Sequence, residues 1–127
     1  MKSAGYVVAH VDADTVKLVL PHPDYVPLPA AISEHWGGKQ GLSLGDGHWL
    51  ILNAGYGKPA DEAVAGLIVH EKAGMPHGYC GGSITFDEGY GPPVWTVESW
   101  SPMTLRPSLL CHCGDHGWIR NGLWVRA

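Results

Sequence analysis

Glycine and proline punctuate this sequence from end to end, with 18 Gly and 10 Pro among 127 residues. Glycine loses the most conformational freedom on folding, and proline lacks the amide donor that a helix interior needs. A chain so divided favours short strands and turns over long helices. PHPDYVPLP, residues 21–29, holds four of the prolines and is expected to be an extended connection.

Residues 6–11 and 15–20 are apolar, β-branched runs separated by DAD, which predicts an opening hairpin. AAISEHW, residues 30–36, is long enough for one or two helical turns before Gly37-Gly38 stops them, and residues 61–63 are expected to begin a short helix. In the glycine-rich stretch 37–57 one clear strand is expected at 49–53. No Gly-Lys-Ser/Thr step follows its glycines, so turn chemistry accounts for it better than a phosphate loop. Leu67, Ile68 and Val69 run together as a buried strand. Further strands are expected at 83–86, 94–97 and 109–111. Asn121-Gly122, set between WIR and LWV, predicts a two-residue hairpin turn of the kind that needs two positive φ values. The expectation is an all-β fold with one short helix. It forms a single domain over 1–127, in which 1–65 is the N-terminal and glycine-rich part and 70–127 carries a zinc-ribbon-like metal site.

A net charge of −4 with scattered Lys and Arg argues against nucleic-acid binding driven by phosphate contacts. No segment has the apolar length of a membrane span or signal peptide, so a cytoplasmic protein without a membrane partner is expected. Three cysteines make a disulfide framework a poor explanation.

Those cysteines, Cys80, Cys111 and Cys113, share the second half with His70, His77, His112 and His116. Histidines 10, 22, 35 and 48 are read as ordinary surface or satisfied residues. Cys113 and His116 are separated by two residues, as are His77 and Cys80, and each cysteine precedes a glycine. Two such knuckles would supply the four N and S ligands of one structural Zn2+. The expected metal ligands are therefore His77, Cys80, Cys113 and His116. Cys111 points the same way as Cys113 in an extended strand and could replace an upstream ligand. His112 and His70 are weaker alternatives. The metalloprotease helix is excluded, because its second His must follow four positions after the first, whereas His70 and His77 are seven apart.

The stretch RPSLLCHCGDHGWIRNGLWV resembles a family of small bacterial and bacteriophage proteins of unassigned function. The shared elements are Pro107-Ser108-Leu109, Cys113 with His116, Trp118-Ile119 and Asn121-Gly122. His77-x-x-Cys80-Gly81 stands where that family commonly has Cys-x-x-Cys-Gly. The resemblance covers residues 70–125 and implies a zinc-binding β fold, sometimes encoded within phage genomes or beside ubiquitin-like conjugation genes. It implies no particular activity.

A closed set of four protein ligands leaves no position for catalytic water. The expected function is thus a non-catalytic, zinc-stabilised accessory protein that works through a protein partner. The alternative is a zinc-dependent hydrolase using Glu71 or Asp115 as base. Trp95, Trp100, Trp118 and Trp124 are expected in the core around the site. Trp118 and Ile119 alternate faces, so one of them should meet a neighbouring layer or a partner.

Overall fold

The structure, a computed structural model, describes residues 7–10, 16–19, 22–36, 39–54, 63–86, 89 and 93–127. Among the described residues it is all-β with one short α-helix. β1 (Val7–His10) and β2 (Val16–Val19) form the opening antiparallel hairpin. β3 (Val26–Pro27), β4 (Gln40–Gly45), β5 (His48–Ala54), β6 (Ala63–Glu71) and β7 (Tyr79–Thr85) make a five-stranded antiparallel sheet in chain order. β8 (Thr96–Trp100) and β9 (Met103–Arg106) form a second hairpin. β10 (Leu109–Leu110), β11 (His116–Arg120) and β12 (Leu123–Arg126) form a three-stranded sheet. α1 (Ala30–Trp36) lies between β3 and β4. No helix among the described residues is long and apolar enough to cross a membrane.

Strand alternation divides the large sheet into two apolar faces. Leu42, Leu50, Leu52, Ile68 and Ile84 face one side, where Met103 and Leu105 of β9 and Leu109, Ile119 and Trp124 of the three-stranded sheet cover them. Ile51 and Val69 face the other, under Leu28 and Ile32, with Trp36 and Trp49 packed alongside. Gly81 admits Trp36 on that second face: a Cβ there would stand 3.2 Å from the indole ring. The proline-rich segment is tied down by polar contacts. Tyr25 Oη accepts the Leu52 amide at 2.9 Å, and Ser101 Oγ donates to Asp24 at 2.6 Å.

The final turn forms as expected, with Asn121 at φ 52° and Gly122 at φ 76° joining β11 to β12. Ile119 is fully buried, while Trp118 points outward beneath the Arg120 guanidinium, 4.2 Å from its ring centroid. The sequence reading missed β4 and β9. In β4, Leu42 and Leu44 alternate inward although glycines flank them, so burial outweighs the weak local propensity. Of the helix start expected at 61–63, only Ala63 lies among the described residues, and it opens β6.

Candidate metal centre

One row of the large sheet builds the site. The register sets His48 on β5 opposite His70 on β6, and His70 opposite Cys80 on β7. Directly opposed residues project from the same face, so three side chains stand in line near the β4–β5 turn. His48, His70 and Cys80 are all buried. The next rows along are Leu50, Ile68 and Gly82, then Leu52, Gly66 and Ile84, and these belong to the apolar core.

Against this row sits the turn between β10 and β11. The Cys111 amide donates to the Asp115 carbonyl at 2.7 Å and the Gly114 amide to the Cys111 carbonyl at 2.9 Å, with Gly114 at φ 99°. A positive φ of that size is cheap only for glycine, so Gly114 is what lets the turn close. The closed turn presents Cys111 and Cys113 to the sheet. Cys80 Sγ lies 3.6 Å from Cys111 Sγ, and Cys113 Sγ lies 3.4 Å from His70 Nε2. The ligand atoms of His70, Cys80, Cys111 and Cys113 all fall within 4.8 Å of one another. A tetrahedral zinc with Zn–S about 2.3 Å and Zn–N about 2.0 Å has ligand–ligand edges of about 3.8 Å for S···S and about 3.6 Å for S···N. These two separations lie within about 0.2 Å of those edges, so this set could hold a metal ion. His112 is exposed and sits at the solvent side, with Nε2 3.8 Å from Cys80 Sγ and Nδ1 3.8 Å from Cys111 Sγ.

Outer contacts orient the histidine. His70 Nδ1 lies 3.1 Å from the Glu71 carbonyl, which can only accept, so Nδ1 carries the proton and the Nε2 lone pair faces the sulfurs. Asp115 bridges the two histidines: Oδ2 is 2.6 Å from His48 Nε2 and 4.0 Å from His70 Nδ1. His48 Nδ1 faces the Asp46 carbonyl at 2.7 Å. Its ring stacks between His70 and Trp124, with centroids 5.2 Å and 4.1 Å away.

Electrostatics distinguishes the sulfurs. Burial, then hydrogen bonding and repulsion from Cys111 and Cys113, push the metal-free Cys80 thiol up to about 12. Burial also works to raise Cys113, yet it ends below its ordinary value. The backbone N–H of Asp115, hydrogen bonds from Cys111 and Cys80 and the charge of Lys72 outweigh burial. An N–H donated to a sulfur favours its thiolate form, the form that binds metal.

Of the four ligands expected from knuckle spacing, Cys80 and Cys113 come together, and His77 and His116 do not join them. His77 occupies the 3-10 turn Pro76–Gly78 at φ 65°, which turns its ring onto His35 with centroids 4.1 Å apart. His116 opens β11 with Gly117 and Ile119 facing inward, so alternation sends it outward, where Nε2 meets Ser108 Oγ at 2.9 Å. His70 and Cys111 take their places. The upstream half is therefore a cross-strand pair rather than a ribbon knuckle. His48, read from the sequence as an ordinary histidine, lies beside the cluster and bonds to Asp115. No family model matches the chain, and no curated protein or solved structure shows significant similarity to it.

Proposed function

We propose that this chain is a zinc-stabilised recognition module acting through a protein partner, with His70, Cys80, Cys111 and Cys113 holding one structural Zn2+. The observation that carries the reading is the convergence of four N and S ligand atoms, from a buried strand pair and a distant turn, within 4.8 Å. Thiolate and imidazole suit zinc better than calcium or magnesium, and four protein ligands leave no open position for reactive water. The hydrolase alternative is weaker on the same count. Asp115 is already bonded to His48, and Glu71 is exposed with its carboxylate packed against Gly47. In small zinc peptides such a site contributes on the order of 10 kcal/mol of apparent binding free energy. Here it would fasten turn 111–115 to the large sheet and so fix the three-stranded sheet whose first two strands that turn joins.

That sheet offers the surface for a partner. Register and alternation place Leu110, Trp118, Leu123 and Val125 on its outer face, and Leu110 and Leu123 are 68% and 56% exposed. Contiguous exposed apolar side chains, with an aromatic and an arginine among them, are typical of interaction surfaces. Membership of the bacterial and bacteriophage family that the C-terminal segment resembles is part of the same proposal. The test is a thermal melt before and after complete chelation. A melting temperature lowered by chelation and restored by one equivalent of Zn2+ supports the reading, whereas an unchanged melt contradicts it.

A further inference from the structure

Beside the cluster the core face of the large sheet is notched. On β7, Cys80, Gly82 and Ile84 project to that face, and Gly82 supplies no side chain opposite Ile68. A Cβ built on Gly82 meets nothing within 4 Å. The result is a cleft of about 70 Å³ walled by Ile68, Ile84, Leu109 and Trp95, with Leu110 at its rim. Its polar lining comes from His70, Ser83, Cys111 and Asp115. Trp124 lines it too, and the Trp124 Nε1–H is buried without a hydrogen-bond partner among the described residues. Buried N–H groups are nearly always satisfied, so an orphaned donor on a residue that lines the cleft asks for an acceptor.

We propose that this cleft is a binding site for an aliphatic amide, its branched alkyl group filling the Gly82 notch, its carbonyl accepting from Trp124 Nε1 and its N–H donating to Asp115. Volume sets the size of the alkyl group. The cleft is about half of the roughly 150 Å³ cavity known to hold benzene, which leaves room for one aliphatic side chain and not for a ring system. Polarity sets the head group, because a donor and a carboxylate among the lining residues select a group that both accepts and donates. An amide has both functions on adjacent atoms without a charge to desolvate. Free small amides and the leucine or valine units of a peptide share this chemistry. The inference deepens the recognition reading and rests on the metal only for holding turn 111–115, and with it Asp115, in place.

The test is a titration of the zinc-loaded protein followed by ¹H–¹⁵N correlation of the indole N–H groups, with zinc content measured on the same sample. Two probes separate the sources: 3-methylbutanamide for a free amide, and N-acetyl-leucine N-methylamide for a peptide unit. The expected result is a saturable downfield shift of the Trp124 N–H with at least one of them. Isovalerate, which lacks the N–H, should bind at least about tenfold more weakly. Gly82→Val, which fills the notch from an unstrained strand position, should abolish the shift while leaving zinc content unchanged. Should that variant fold poorly, the wild-type titration still decides. A fully zinc-loaded protein whose Trp124 N–H responds to neither amide overturns the inference and leaves the metal reading standing, whereas a metal-free protein that binds the amide separates the two in the other direction.

Discussion

His70 stands directly opposite Cys80 across β6 and β7, and its Nε2 reaches to 3.4 Å from the Cys113 sulfur on the facing turn. One residue thus touches both halves of the cluster. His70→Ala is expected to weaken zinc binding by more than about a hundredfold, beyond the loss that follows removal of an outer-contact partner. Competition against a chromophoric chelator measures it. Affinity within tenfold of the parent would show that His70 is not a ligand.

Asp115 acts one step further out. Its carboxylate bonds His48 at 2.6 Å and approaches His70 Nδ1 at 4.0 Å. Asp115→Asn should keep the fold and cost about 10- to 100-fold in metal affinity, the usual cost of losing such a partner. A larger loss, equal to that of His70→Ala, would make Asp115 a ligand instead.

Gly117 is where the three-stranded sheet is packed most closely. A Cβ there would stand 2.5 Å from the Trp124 ring and 2.7 Å from the Val125 carbonyl. Both atoms are fixed, the first by stacking on His48 and the second by the β11–β12 ladder. Gly117→Ala should therefore destabilise the protein by about 1–3 kcal/mol through overpacking, read as a lowered urea midpoint at constant slope. A neutral substitution would mean that Trp124 has somewhere else to go.

His22 makes stability depend on pH. Its Nε2–H donates to the Trp100 carbonyl, and Nδ1 accepts the Asp24 amide at 2.9 Å, so the neutral ring is fully bonded. Burial holds its pKa below the ordinary value, against the opposing pull of the Trp100 carbonyl and the Asp24 charge. The unfolded chain then takes up this proton first as pH falls. The stability that neutral His22 contributes is present above about pH 6.5 and is lost as pH drops through that value toward the lower folded pKa. Urea midpoints at pH 7.5 and 5.5 should differ more in the parent than in His22→Gln, both zinc-loaded. Equal differences would remove His22 as the cause.

Much of this architecture is legible in the sequence for identifiable reasons. The run Leu67-Ile68-Val69 marks a strand buried on both faces, and Asn121-Gly122 fixes a turn by its local chemistry. Cys111 and Cys113 do converge, but through the closed turn 111–115 rather than by the alternation of an extended strand. The other half of the site depends on register. Whether Cys80 meets His77 or His70 is decided by how β6 pairs with β7 across the turn at Pro76–Gly78, and a shift of one residue would turn every side chain to the other face. Local spacing therefore favoured His77, three positions from Cys80, over a histidine ten positions away that the hairpin brings opposite. The usable signal is burial: His70 directly follows the apolar run Leu67-Ile68-Val69, where an unpartnered polar side chain is costly.

Metal stoichiometry across ligand variants tests the central claim most directly. Elemental analysis of the purified parent should give one zinc per chain. Cys80→Ser and Cys111→Ser should lose it, while His77→Ala and His116→Ala should retain it. A parent protein without zinc, or loss of the ion on replacing His77 or His116 while Cys111→Ser keeps it, would contradict the ligand set His70, Cys80, Cys111 and Cys113.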